Sequence, residues 1–146
     1  MKNTHKIATA FLMLVLSAPT FAAEHVVKML NKGNDGMMVF EPAVLSVNVG
    51  DTVKFEATDM AHNSKSVLTP AGAKPWMGKM SQDISVTFDT EGVYVYECTP
   101  HVMMAMVGVI KVGDVKVDDA TNKFANQYKS KFVMNHDRLK KYLLEL

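Results

Sequence analysis

The chain has 146 residues, 48% of them hydrophobic and 21% charged, the balance of an ordinary globular protein of about one domain. That balance excludes a disordered, collagen-like or coiled-coil protein, and 16 basic against 15 acidic residues give no footing for nucleic acid. A single cysteine cannot close an intrachain disulfide, so the fold must rest on its core and the thiol must serve another purpose.

Met1 to Lys6 is short and basic, Ile7 to Leu16 is an unbroken run of apolar or small residues, and Ser17 to Ala23 is small and contains a proline. This order predicts a secretory signal peptide of bacterial type over residues 1–22, and so a periplasmic mature protein. Cleavage after Ala22 leaves Thr20 third from the cut, whereas cleavage after Ala23 would leave bulky Phe21 there. The apolar run is about half of the ~20 residues that cross a bilayer as a helix, so no membrane span is expected. Loss of the leader removes Lys2, His5 and Lys6 but no acid, leaving 14 basic and 15 acidic residues.

From His25 to Val112 the pattern has mostly period two, which predicts an all-β sandwich or barrel over residues 24–113. The expected strands are Val26 to Leu30, Val39 to Phe40, Val44 to Val49, Thr52 to Ala57, Ser66 to Leu68, Ile84 to Phe88, Val93 to Glu97 and Val107 to Val112. Val53, Phe55 and Ala57 share one face, as do Ile84, Val86 and Phe88, and these faces would form the core. After Gly113 prolines and glycines vanish and the period becomes helical. Asp118 and Asp119 can cap a helix running to about Tyr128, and Phe132, His136, Leu139 and Leu143 repeat at helical spacing in a second. An extension over residues 117–146 is too small to bury a core of its own, so both helices are expected to pack on the sandwich within one domain, residues 23–146.

The stretch that carries chemistry is Tyr96-Glu97-Cys98-Thr99-Pro100-His101-Val102-Met103-Met104-Ala105-Met106-Val107-Gly108, between two predicted strands. One loop presents a thiolate, an imidazole and a thioether, stiffened by Pro100. His62, followed by Asn63, lies in the loop after the Thr52 to Ala57 strand, where a sandwich can bring it beside Cys98. Two imidazoles and a thiolate in a trigonal plane, with a weak axial thioether, are the donors of a mononuclear type 1 copper. Copper would also account for a lone thiol in an oxidising compartment. The plainer reading is that a lone cysteine is a small buried hydrophobe, and with twelve methionines in the chain Met106 adds little by itself. His25 and His136 have no partner pattern and read as strand-edge and helix-face residues, while Met37, Met38, Met60, Met77 and Met80 read as packing or surface-patch residues.

At these residues the sequence resembles the cupredoxins, and more narrowly the pseudoazurins. The resemblance runs through His25 to Gly33, Met38 to Ala43, Gly50 to Val53, His62-Asn63, Cys98 to His101, Met106 to Gly108 and Val112 to Asp114. Plastocyanins are similar in the C-x2-H-x4-M spacing but lack the helical extension, amicyanins place the methionine three residues after the histidine, and azurins space Cys and His further apart. The resemblance implies a Greek-key sandwich with two C-terminal helices, one type 1 copper, and His62, Cys98, His101 and Met106 as its ligands. It implies that Asn63 joins the two ligand loops by hydrogen bonds, with Pro100 beside it in the outer shell. His101 is then the exposed edge through which electrons pass, in a patch of Met37, Met38, Val102, Met103 and Met104 with Lys32 and Lys79 near it.

The family often has an aromatic residue and glycines between its His and Met ligands, where this chain reads Val102-Met103-Met104-Ala105. Met106 is the axial candidate because Val107-Gly108 follows it, and Met104 is the alternative. Glu97 precedes the cysteine and Met60-Ala61 precedes His62, where basic or glycine residues are common, so the basic ring is expected to be thinned to Lys32, Lys65, Lys74 and Lys79. The function implied is a non-enzymatic, monomeric electron carrier for periplasmic redox proteins, copper nitrite reductase or another reductase or dehydrogenase among them. Copper delivery or storage is the alternative, motivated by the methionine excess and the Met77-x-x-Met80 spacing. A copper enzyme would need an open coordination position or a second metal cluster, and the sequence offers no second ligand set.

Overall fold

The computed structural model describes residues 22–146; the signal-peptide reading falls outside them except for Ala22. Among the described residues, eight strands form two four-stranded sheets: β1 (Glu24–Gly33), β2 (Gly36–Glu41), β3 (Val44–Val47), β4 (Thr52–Glu56), β5 (Lys65–Leu68), β6 (Ile84–Thr87), β7 (Gly92–Glu97) and β8 (Val107–Val112). One sheet has the order β2-β1-β4-β6 and the other β3-β8-β7-β5. The pairs β1–β4 and β3–β8 are parallel and the rest antiparallel, so the chain crosses between sheets as a Greek key does. Helices α1 (Asp119–Tyr128) and α2 (Arg138–Leu144) follow. Among the described residues no helix is long and apolar enough to cross a membrane.

Period two explains the first core. Val27 and Met29 of β1 and Val53 and Phe55 of β4 point between the sheets, where they meet Tyr94, Tyr96, Ile110 and Val112. The Tyr96 ring lies edge-on to Phe40 and Phe55, with centroids 4.7 and 5.0 Å away. Gly108 makes that seat possible, since a Cβ there would lie 2.3 Å from the Tyr96 ring.

A second core lies on the outer face of the β3-β8-β7-β5 sheet. Val93, Val95, Val107 and Val109 are buried there with Tyr128, Leu139 and Leu143 of the helices. β7 and β8 are therefore covered on both sides, which is why their sequences are nearly continuous apolar runs. Asp118 caps α1, its side chain accepting from Thr121 N–H at 2.7 Å.

The second helix differs from expectation. Phe132 is buried but extended, Asn135 takes a left-handed backbone (φ 55°), and α2 starts only at Arg138. The spacing of Phe132, His136, Leu139 and Leu143 imitates one helix, but only Leu139 and Leu143 lie on it, and His136 is exposed in the preceding loop. β2 also starts earlier than expected, at Gly36, because it pairs with β1 as far as Gly33↔Gly36.

Candidate metal centre

The sandwich brings two distant loops together at one end. His62 lies between β4 and β5 and is fully buried; Cys98, also fully buried, follows β7 directly. The Cys98 amide donates to the Met106 carbonyl at 2.9 Å, closing the neck of the loop one step beyond the β7–β8 ladder. Thr99–Met104 then forms a 3-10 turn with Pro100 in its first positions, exposed to solvent. His101 N–H donates to the Cys98 carbonyl (3.1 Å) and Met106 N–H to the His101 carbonyl (3.2 Å), across a left-handed Ala105 (φ 56°).

This folding places three donor atoms in a small triangle. His62 Nδ1 and His101 Nδ1 are 3.1 Å apart, and each is 3.5 Å from Cys98 Sγ. A point equidistant from the three lies about 2 Å from each, the length of a bond between a first-row metal and an imidazole nitrogen. His62 Nε2 lies 3.0 Å from Asn31 Oδ1, an acceptor, so Nε2 carries the proton and Nδ1 turns a lone pair into the triangle. Converging lone pairs repel unless a cation sits among them, and soft sulfur beside two imidazoles suits copper. With Met106 buried next to Cys98 in the inter-sheet core, the donor set is that of a type 1 copper site.

Burial acts on all three donors. It pushes the Cys98 thiol above its ordinary range, opposed by the backbone N–H groups of Asn63 and His101 that face the sulfur. Burial holds both imidazoles below their usual range, with His101 adding to the effect on His62, so both are neutral and free to coordinate at neutral pH.

Asn63 ties the two loops together. Its Oδ1 accepts from Thr99 N–H at 2.8 Å, and its Nδ2 donates to Thr99 Oγ1 (3.2 Å) and to the Gly78 carbonyl (3.3 Å). Ser64 is pinned from the other side by Trp76 Nε1 at 2.9 Å. Asn31, which orients His62, has no sequence signal, because it sits 31 residues away on β1.

The methionines divide by position. Met106 is fully buried, Met104 half-buried, and Met103 exposed. Met37 is exposed, with Met38, Val102 and His101 half-buried, and Lys32 and Lys79 are in solvent. Lys32 lies opposite Met37 in the β1–β2 register.

Glu97 departs from its expected place on the surface. It is 4% exposed, accepts a hydrogen bond from the Tyr128 hydroxyl, and has Lys65 Nζ 3.9 Å from its other oxygen. It shares a face with Val93 and Val95, and α1 covers that face. The carboxylate therefore adds no acidic group to the solvent-facing ring.

A sequence model of the family described as copper binding proteins, plastocyanin/azurin family, matches residues 27–113. The chain is 43% identical over 109 residues to the pseudoazurin of Paracoccus pantotrophus, covering 73% of this chain and 75% of that one. Among solved structures, a pseudoazurin from Sinorhizobium superposes with a TM-score of 0.71 at 39% identity, covering 84% of this chain and 95% of that one. Native pseudoazurin from Hyphomicrobium denitrificans gives 0.69 at 36% identity, covering 84% and 98%.

Proposed function

Because the chain belongs to the plastocyanin/azurin family of copper-binding proteins, we propose that it is an exported, periplasmic carrier of single electrons, with one copper held by His62, Cys98, His101 and Met106. The observation that carries this reading is the donor triangle of 3.1, 3.5 and 3.5 Å, set in a buried, hydrogen-bonded frame. Copper bound there supplies a one-electron couple between Cu(I) and Cu(II).

The protein's part is to hold its donors still. Asn31 fixes the His62 ring, Asn63 fixes the two loops relative to each other, and the neck bond fixes Cys98 relative to Met106. A frame that moves little between oxidation states keeps transfer fast. Met106 serves as the axial donor in this reading because it shares the inter-sheet core with Cys98, a position Met104 does not have. His101, half-buried, is the bridge to the surface. Around it Met37, Met103 and Val102 offer soft apolar contact for brief docking, and Lys32 and Lys79 add positive charge. Redox proteins of the periplasm with an acidic rim suit that face, a copper nitrite reductase or another reductase or dehydrogenase being of the right kind. A monomer leaves the face free.

The test is the optical and EPR spectrum of exported protein with one equivalent of Cu(II), together with a metal count. An intense band toward the red, bleached by reductant and restored by oxidant at one copper per chain, is expected. The second reading, copper delivery or storage, draws on the exposure of Met60 (73%), Met77 (66%) and Met80 (46%). A colourless protein taking up several Cu(I) ions would favour it over the carrier.

A further inference from the structure

Arg138, the first residue of α2, sits where a helix dipole disfavours a cation. Its guanidinium is instead occupied by backbone carbonyls from two remote segments. Nη1 lies 3.3 and 3.2 Å from the carbonyls of Met37 and Met38, and 3.3 and 3.2 Å from those of Met104 and Ala105. Nη2 donates to the Asp35 carbonyl at 3.1 Å. Two hydrogens on Nη1 are thus shared among four acceptors while Nη2 serves a fifth, and only a planar fork holds two such nitrogens at a fixed spacing, whereas an ammonium has one. The same corner receives further support: Val133 N–H donates to the Met103 carbonyl at 2.8 Å, and Asn135 Nδ2 donates to that of Met104 at 3.2 Å.

We propose that Arg138 is a positioning residue for the copper loop, its guanidinium locking the β1–β2 hairpin and the Met104–Ala105 carbonyls into one platform that sets the axial donor and the docking face together. The Ala105 carbonyl belongs to the peptide unit that leads into Met106, and Ala105 itself holds a left-handed conformation. Releasing that carbonyl leaves the peptide plane held only through the 3.2 Å bond from Met106 N–H to the His101 carbonyl, so the plane can tilt and carry Met106 with it. An axial thioether bond is long and weak, so it is the part of such a site most responsive to backbone drift. The Met37 and Met38 carbonyls join the same fork, so two halves of the apolar face keep their spacing through one side chain.

The inference about the axial donor rests on the copper reading above, so the test has one arm that needs no copper. Arg138→Met and Arg138→Lys are compared with Asp118→Ala, which weakens the helical extension by removing the α1 cap without touching the loop. In copper-free protein, amide exchange at Ala105 and Met106 is expected to rise about tenfold or more in both Arg138 variants and to stay near wild type in Asp118→Ala. In copper-loaded protein, the Arg138 variants should shift the reduction potential and the intensity ratio of the visible bands, and Asp118→Ala should not. Exchange and spectra unchanged in Arg138→Met, with only a loss of thermal stability like that of Asp118→Ala, would overturn the proposal. Full recovery of wild-type behaviour by Arg138→Lys would do so too, since a point charge would then suffice. A colourless protein with faster exchange would sink the copper reading and leave the platform standing.

Discussion

Tyr128, in the last turn of α1, donates its hydroxyl hydrogen to the buried carboxylate of Glu97, the residue immediately before the cysteine of the donor triangle. The helical extension thus touches the chain one peptide away from the metal centre. Burial and the facing carboxylate both push the Tyr128 hydroxyl above its ordinary range, so it remains a donor at any pH the protein meets.

Tyr128→Phe keeps the ring stacked on Phe124 but leaves Glu97 with Lys65 alone, 3.9 Å away. The stranded carboxylate is expected to cost about 1–3 kcal/mol, read from urea unfolding of copper-free protein. Adding Glu97→Gln should recover part of that loss. Overlaying melts for wild type and Tyr128→Phe would show that the pair contributes nothing.

Met106→Ala should strongly perturb the optical and EPR spectra of copper-loaded protein, whereas Met104→Ala should leave them nearly intact, because only Met106 lies in the core beside Cys98. The opposite pattern would transfer the axial role to Met104.

Asn63 is 2% exposed and makes three hydrogen bonds that join the His62 loop to Thr99 and Gly78. Asn63→Ala abandons the Thr99 N–H and is expected to cost about 1–3 kcal/mol of stability. Voltammetry of the copper-loaded variant should show a displaced potential, since the loop bearing Cys98 loses its tie. An unmoved potential would restrict Asn63 to a role in stability.

Asp51, 2% exposed, accepts from Ala23 N (2.9 Å) and Asn48 N (2.9 Å) and faces His25 Nε2 at 3.0 Å. The Ala23 N–H, His25 and the Asn48 N–H hold its carboxyl down from 3.8 to about 2. Folding therefore favours the ionised form: its contribution is complete above pH 3.8 and is lost as pH falls toward about 2. Asp51→Asn should lower stability at neutral pH and flatten the acid limb of the stability curve over that interval. If export cuts after Ala22, an intact mass beginning at Ala23 is expected, with the new α-ammonium placed on the same carboxylate. A mass beginning at Glu24 would refute that cleavage.

The sequence made the cysteine loop legible because its donors are neighbours: Cys98, His101 and Met106 stand between two strands of clear period. His62 was legible through the strand before it. Glu97 was not, although Val93, Val95 and Glu97 alternate onto one face, because the pattern does not say which sheet the helices cover. The start of α2 was hidden by Phe132, whose burial mimics helical periodicity from an extended backbone. Asn31 and Arg138 act across 31 to 103 residues, distances at which no local pattern carries information.

The neck bond between Cys98 N–H and the Met106 carbonyl has a calorimetric consequence. The strands on either side of it are already covered on both faces, so the donors are assembled when the chain folds and not when an ion arrives. Titrating metal into folded protein should then bury little further apolar surface and show a small heat-capacity change. The unfolded chain has no such triangle, so each tenfold preference of the ion for the folded form adds about 1.4 kcal/mol of resistance to unfolding.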